Sequence, residues 1–192
     1  MHTQNTNQPS AQQDQVADQQ PEPGDFFAQP FNDDAEGFYF STEEEFEQKS
    51  SQCLDAFGSL VEEFEIQLID GSMEVAELFD VCLVDQSNIG QFIAIIENVP
   101  EDQLPALFYL CDAHHYSMKD AINKLDDVTL YCGGQEDAAE ELFDECYAHK
   151  IPEEVRNWID YKACANDLQQ GGDMCEFEFA GNTFTCTNAN HV

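Results

Sequence analysis

The stretch VTLYCGGQEDAAEELFDECYA, residues 128–148, contains a strand pattern, a glycine pair and a helix pattern in direct succession. Val128 to Cys132 is short, apolar and β-prone, and Gly133-Gly134 breaks it. From Gln135 the period changes. Ala139, Leu142, Phe143 and Cys146 fall on one stripe of a helix running to Ala148, and the carboxylates fall elsewhere. A strand feeding a helix through two glycines, on a chain whose other elements are also mixed and segregated, predicts an α+β fold rather than a parallel α/β sheet.

The same helix carries the strongest functional signal. Glu136, Glu140 and Asp144 form one row at i, i+4 spacing, and Asp137, Glu141 and Glu145 form a second, with no Lys or Arg among them. Six charges over about nine rises of 1.5 Å give one charge per ~2.3 Å, comparable with ~1.7 Å in duplex DNA. Like charges at i, i+4 each cost a few tenths of a kcal/mol, so the four pairs together cost ~1 kcal/mol. A helix selected for solubility alone would mix signs.

Working outward, residues 1–35 are rich in Gln, Asn, Asp and Pro, lack Lys and Arg, and show no periodicity, which reads as a disordered tail. Phe26, Phe27 and Phe31 are its apolar exceptions. Residues 36–73 read as a small α+β module. It has an aromatic strand at Phe38 to Phe40 and a helix opened by Ser41, Thr42, Glu44 and Glu45 in capping-box spacing. Phe46, Ser50, Cys53, Leu54 and Phe57 lie on one side of that helix, Glu43, Glu44, Glu47 and Asp55 largely elsewhere, and Gly58 is its expected stop. Phe64, Ile66 and Leu68 then alternate with Glu63, Glu65 and Gln67, as in a strand with one acidic face.

Residues 74–127 read as three or four short helices, broken near 85–87, at Val99-Pro100 and around 114–117. Residues 128–192 form a C-terminal α+β module. After the acidic helix, a further helix holds Trp158 and Tyr161, and Cys175 to Thr187 makes a hairpin turning at Ala180-Gly181-Asn182. The expected architecture is an elongated string of small modules, helical in the middle.

Composition sets the class of partner. The chain has 192 residues, 42% of them hydrophobic, with 40 Asp and Glu against 6 Lys and Arg, a formal charge of -34. Such a field repels nucleic acid and anionic membrane and attracts basic proteins. The excess recurs at Glu62, Glu63 and Glu65, at Glu101 and Asp102, and at Glu153, Glu154 and Asp160. The eight cysteines are dispersed, with no C-x-x-C, and no stretch has the length and apolarity of a membrane span or signal peptide, which reads as a reduced, cytoplasmic protein.

Chemistry is not signalled. No Cys pair has zinc spacing, and the adjacent His114 and His115 diverge by about 100° on a helix. There is no G-x-S-x-G or calcium-loop pattern, and pairs such as Asp126 and Asp127 are expected by chance among so many carboxylates. The expectation is no catalytic residue, no cofactor and no metal site. Arg156, Trp158 and Tyr161 are read as structural or dimer-contact residues, with Trp158 buried at a module or dimer contact.

Three segments, FYFSTEEEFEQK (38–49) with EEFEIQLIDG (62–71), LPALFYLCDAHHYSMKDAINKLDDV (104–128), and IPEEVRNWIDYKACANDL (151–168), carry a resemblance. The last holds Ile151, Pro152, Glu153, Arg156, Ile159, Asp160, Tyr161, Ala165 and Leu168 in matching order. From Phe38 onward the chain resembles the ArdA-type antirestriction proteins of plasmids, transposons and phages. The resemblance implies a curved homodimer whose carboxylates imitate bent B-form DNA and fill the DNA groove of a type I restriction-modification methyltransferase or endonuclease in a bacterial host. One departure is the N-terminus, where a Gln-rich tail stands in place of most of a longer β-rich module. Other readings of the charge are a mimic aimed at a CRISPR effector, a repressor or a nucleoid protein, and an acidic chaperone of a basic protein. The surface expected to act comprises Glu43, Glu44, Glu47, Glu63, Glu65, Glu136, Asp137, Glu140, Glu141, Asp144, Glu145, Glu153 and Glu154.

Overall fold

In the computed structural model, which describes residues 26–192, two small antiparallel sheets are joined by helices in an α+β arrangement. The first sheet has the order β2-β1-β3, with β1 at Phe26–Pro30, β2 at Phe38–Phe40 and β3 at Phe64–Leu68. Phe26 faces Phe40 on one side and Leu68 on the other, so β1 is the central strand. This corrects the expected boundary of the tail at residue 35. The physical reason is alternation: Phe26, Ala28 and Pro30 are buried, while Phe27 and Gln29 are half-buried. Pro30, which lacks an N–H, takes the last position, and Phe31 N–H resumes the ladder by donating to Glu63 O. Gly37 is required by close approach, because a Cβ there would collide with the Phe27 ring and the Ala28 carbonyl. The expected Phe38 to Phe40 and 64–68 strands are both present, and Phe64 and Ile66 are buried while Glu63 and Glu65 are exposed.

Helix α1 spans Glu43–Ser50. Thr42 accepts from Glu45 N, and the Glu45 carboxylate accepts from Ser41 N, a reciprocal cap shifted by one residue from the usual box. The helix ends at Ser50 and not at Gly58. Asp55 explains why the helix does not continue to Gly58: its carboxylate accepts from the N–H groups of Phe57 and Ser59, offering the backbone a turn in place of a helix, and Leu54 bridges to Leu60 across it. Leu54 and Phe57 are therefore exposed rather than on a buried stripe.

The middle is helical, with α2 at Met73–Val81, α3 at Ile89–Asn98, α4 at Leu104–Ala113 and α5 at Met118–Ile122. The breaks fall where the turn residues predicted them. Strand β4 (Leu130–Cys132) leads to α6 (Gln135–Tyr147), then α7 (Glu153–Arg156), α8 (Tyr161–Gly171), β5 (Cys175–Phe179) and β6 (Asn182–Cys186). The second sheet has the order β4-β6-β5. Ala180 and Gly181 both have positive φ (50° and 73°), the hairpin turn that matches strand twist.

One main core crosses the boundaries expected at 73/74 and 127/128. It runs from Phe26, Phe40 and Phe64 through Leu78, Phe92, Leu107 and Leu110 to Phe179 of β5. Phe26 stacks on Phe40 and Phe79 and meets Phe92 edge-on, so the missed strand supplies its aromatic centre. A second, much smaller core of Ala138, Ala139, Ala165 and Met174 lies under α6 and α8.

Candidate functional site

Helix α6 is held at both its start and its inner face. Gly133 N–H donates to Thr183 O at 2.9 Å, and the fully buried Thr185 hydroxyl donates to Gly133 O at 2.9 Å, fixing the glycine pair against β6. Gln135 N–H then donates to the Glu176 carboxylate of β5 at 2.7 Å. A negative group at this end satisfies an orphan donor and complements the helix dipole. On the inner face Ala138 and Ala139 are buried, and Leu142 and Phe143 are half-buried against α8. Phe143 meets Tyr161 edge-on at 5.7 Å. Cys146, expected on the stripe, is exposed although it lies within about 20° of buried Ala139 around the helix axis: burial is confined to the first half of α6, and the last turn carries no buried residue.

All six carboxylates of the two rows are exposed. Asp137, Glu140, Glu141, Asp144 and Glu145 share one shallow open depression with Tyr131. Their field reaches the phenols beside them. Tyr131 is pushed up from its ordinary pKa by desolvation first and then by Asp137 and Glu141; Tyr161 is pushed up by desolvation and then by Asp144 and Glu140. Both shifts disfavour the phenolate within an anionic surface.

The other expected residues fall in three places. Glu43, Glu44 and Glu47 are exposed on α1, where the Glu43 carboxylate lies against Gly90 of α3 so closely that a Cβ at Gly90 would displace it. Glu63 and Glu65 are exposed on either side of buried Phe64, and Glu65 accepts from the Gln67 amide at 3.3 Å. Glu153 and Glu154 are exposed in the first turn of α7. By contrast Glu45 is occupied by Ser41 N and by Lys49, which lower its pKa in that order.

Arg156 is half-buried at the end of α7, and Tyr161 opens α8 with Asp160 as its cap. Trp158 is 85% exposed in the connection between them. Burial of Trp158 in a module contact is thus corrected: the single helix expected after Pro152 breaks after Arg156, and the indole projects from the break. His114 is paired with the Tyr109 hydroxyl at 3.3 Å, and His115 is exposed at a φ of 54°. Among the described residues no group of three or more His, Cys, Asp and Glu side chains converges as a metal site, and no helix is long and apolar enough to cross a membrane.

Sequence reading missed Glu176, Tyr131 and Glu77. Glu77 of α2 accepts from Ala180 N at 2.9 Å and so ties the helical part to the hairpin turn across 103 positions of sequence. No local pattern signals such a contact.

The family model for antirestriction protein (ArdA) matches residues 31–180, which include α6, the acidic face of β3 and the first turns of α1 and α7. The chain belongs to the ArdA family of antirestriction proteins. The match begins one residue after β1 and stops at Ala180, at the turn of the terminal hairpin. No curated protein matches the chain. Membership of ArdA assigns it to antirestriction, action against restriction-modification enzymes.

Proposed function

We propose that the chain inhibits a type I restriction-modification enzyme by occupying its DNA-binding groove with the carboxylates of α6, joined by those of α1, β3 and α7. The observation that carries this reading is α6 itself: six exposed carboxylates in two rows at near-phosphate spacing, without one interleaved cation, on a helix seated firmly at its N-terminus. No bond is made or broken in such a mechanism. The groove of a DNA-binding enzyme is lined by Lys and Arg, and carboxylates reaching it exchange for phosphates. Attraction at long range speeds the encounter and weakens as salt screens it.

The homodimer implied by the resemblance needs an apolar contact. Tyr147, Val155 and Trp158, exposed at 51%, 49% and 85%, are suitable side chains for one.

The test is competition. Purified chain added to a type I methyltransferase and labelled duplex DNA at low salt should displace the DNA stoichiometrically and slow methylation, with the effect falling steeply as salt rises. Retention of the DNA and full methylation in a molar excess of the chain would sink the reading. A CRISPR effector or a repressor assayed in parallel separates a type I target from another DNA-binding one.

A further inference from the structure

Two thiols lie side by side in the main core. Cys82 caps the C-terminus of α2, Cys111 lies near the C-terminal end of α4, and the two helices pack on one another. Their Sγ atoms are 3.8 Å apart, with the Cys82 S–H directed at Cys111 Sγ. All eight cysteines are free thiols. Among the described residues this is the one thiol–thiol contact. Cys175 and Cys186 face each other across β5 and β6 but flank the Tyr109 hydroxyl, and Cys132 and Cys146 are exposed without a thiol neighbour.

We propose that Cys82 and Cys111 form a redox modification site that closes to an intrachain disulfide when the protein meets a small-molecule disulfide such as oxidised glutathione. A disulfide has an S–S length near 2.05 Å, so the two sulfurs must approach by about 1.8 Å. Cysteine side chains are unbranched, and rotation about the two χ1 bonds is the side-chain freedom that approach draws on. Access comes from the Cys82 side. Cys82 is half-buried where Cys111 is 5% exposed, and Leu83 beyond it turns at a φ of 49° with its side chain 80% exposed. A reagent therefore reaches Cys82 from a solvent-lapped turn rather than through packed core.

The chemistry balances in two exchanges. The pair first loses one proton, and with the remaining shared proton passed to Cys111, the Cys82 thiolate attacks one sulfur of the small disulfide; the disulfide bond breaks, a mixed disulfide forms at Cys82, and one small thiolate leaves. Cys111, deprotonated in turn, attacks the Cys82 sulfur and expels the second small thiolate. Two protein thiols are oxidised, one small disulfide is reduced to two thiols, and the two protons end on those thiols. The bridge would close a loop containing the whole of α3 and so restrict the unfolded chain.

The experiment uses the full chain with the exposed Cys132 and Cys146 replaced by Ser, to suppress links between molecules. After incubation with oxidised glutathione, free thiols are alkylated and the protein is digested and mapped by mass spectrometry. The expected result is loss of two alkylatable thiols, a linked peptide pair containing Cys82 and Cys111, and a rise in Tm of several degrees that a reductant reverses and Cys82→Ala abolishes. Alkylation of both Cys82 and Cys111 after that treatment, or linkage through other cysteines, overturns the proposal. The mapping alone decides it even if Cys82→Ala fails to fold.

Discussion

The Glu176 carboxylate of β5 accepts the backbone N–H of Gln135 at 2.7 Å, so a strand residue 41 positions away caps the most acidic helix of the chain. A carboxylate here differs in role from its neighbours: although exposed like them, it also holds the surface in place. Glu176→Ala should cost about 1 kcal/mol, the size of a lost N-cap, and Glu176→Gln less, since an amide oxygen still accepts. Hydrogen exchange should localise the loss to the first turn of α6. Unchanged protection there in Glu176→Ala would mean that the glycine pair alone fixes the helix.

Replacing Asp137, Glu140, Glu141, Asp144 and Glu145 together by their amides separates binding from folding. Four i, i+4 repulsions disappear, so stability at low salt should rise by about 1 kcal/mol while inhibition of the target falls by orders of magnitude. Any one of the five changes alone should alter inhibition only slightly. Urea titration and the DNA competition assay read the two effects independently.

The phenols give a spectroscopic check of the same field. The folded-state pKa values of Tyr131 and Tyr161 are raised, so the stabilisation they carry is complete below the unfolded value near 10 and is lost as pH rises through the folded values. In the five-amide variant both should ionise earlier, yet still later than free tyrosine, because desolvation is the larger cause. Phenolate absorbance during alkaline titration measures it; identical titrations in parent and variant would show that the row exerts no field at the phenols.

Asp85 behaves in the opposite sense. Hydrogen bonds from the Ser87 hydroxyl (2.6 Å) and then the Ser87 N–H (2.7 Å) hold its pKa below the ordinary value. Its contribution is therefore present above the unfolded value near 4 and is lost as pH falls through the lower folded one. Asp85→Ala should cost about 1 kcal/mol at neutral pH, kept modest by solvent screening, and less in strong acid, where the charge-dependent part is lost. Melting curves of parent and variant should converge as pH falls below 4.

Trp158 is the sole tryptophan and stands 85% exposed near Glu153, Glu154 and Asp160. Its emission should be that of a solvated indole, and caesium ions should quench it more strongly than iodide, because the surrounding carboxylates gather cations and exclude anions. Covering of the indole by a second copy or by the target should shift the emission to the blue and protect it from both.

Much of this was legible in the residues. Strict alternation marked β3, the 3.6-residue period marked α6, and Ala180-Gly181 marked the hairpin, because each signal is local. Where reading failed, a local cue was outvoted by a contact. Phe26 to Pro30 has the alternation of a strand, but only five residues of it, set among Gln, Asp and Pro that read as a tail; its pairing with β2 and β3 is what makes it central. Cys53, Leu54 and Phe57 keep helical spacing past the end of α1 at Ser50, where the chain instead pairs Leu54 with Leu60 around the Asp55 turn. The exposure of the α6 carboxylates could be read from sequence, since an acidic residue opposite an apolar stripe faces water. Glu176 and Glu77 could not be singled out, since what distinguishes them is the distant N–H each accepts.

The small core beneath α6 has a thermodynamic corollary. The helix bearing the densest charge rests on three alanines and one methionine as its fully buried residues, so its docking is held by little apolar area and opposed by its own repulsion. Cations supplied by a basic groove, as the proposed function requires, would remove that opposition on binding. Under the proposed mechanism recognition and rigidity would be linked: a groove that neutralised α6 would also tighten its seat, and the surface would be stiffest when occupied.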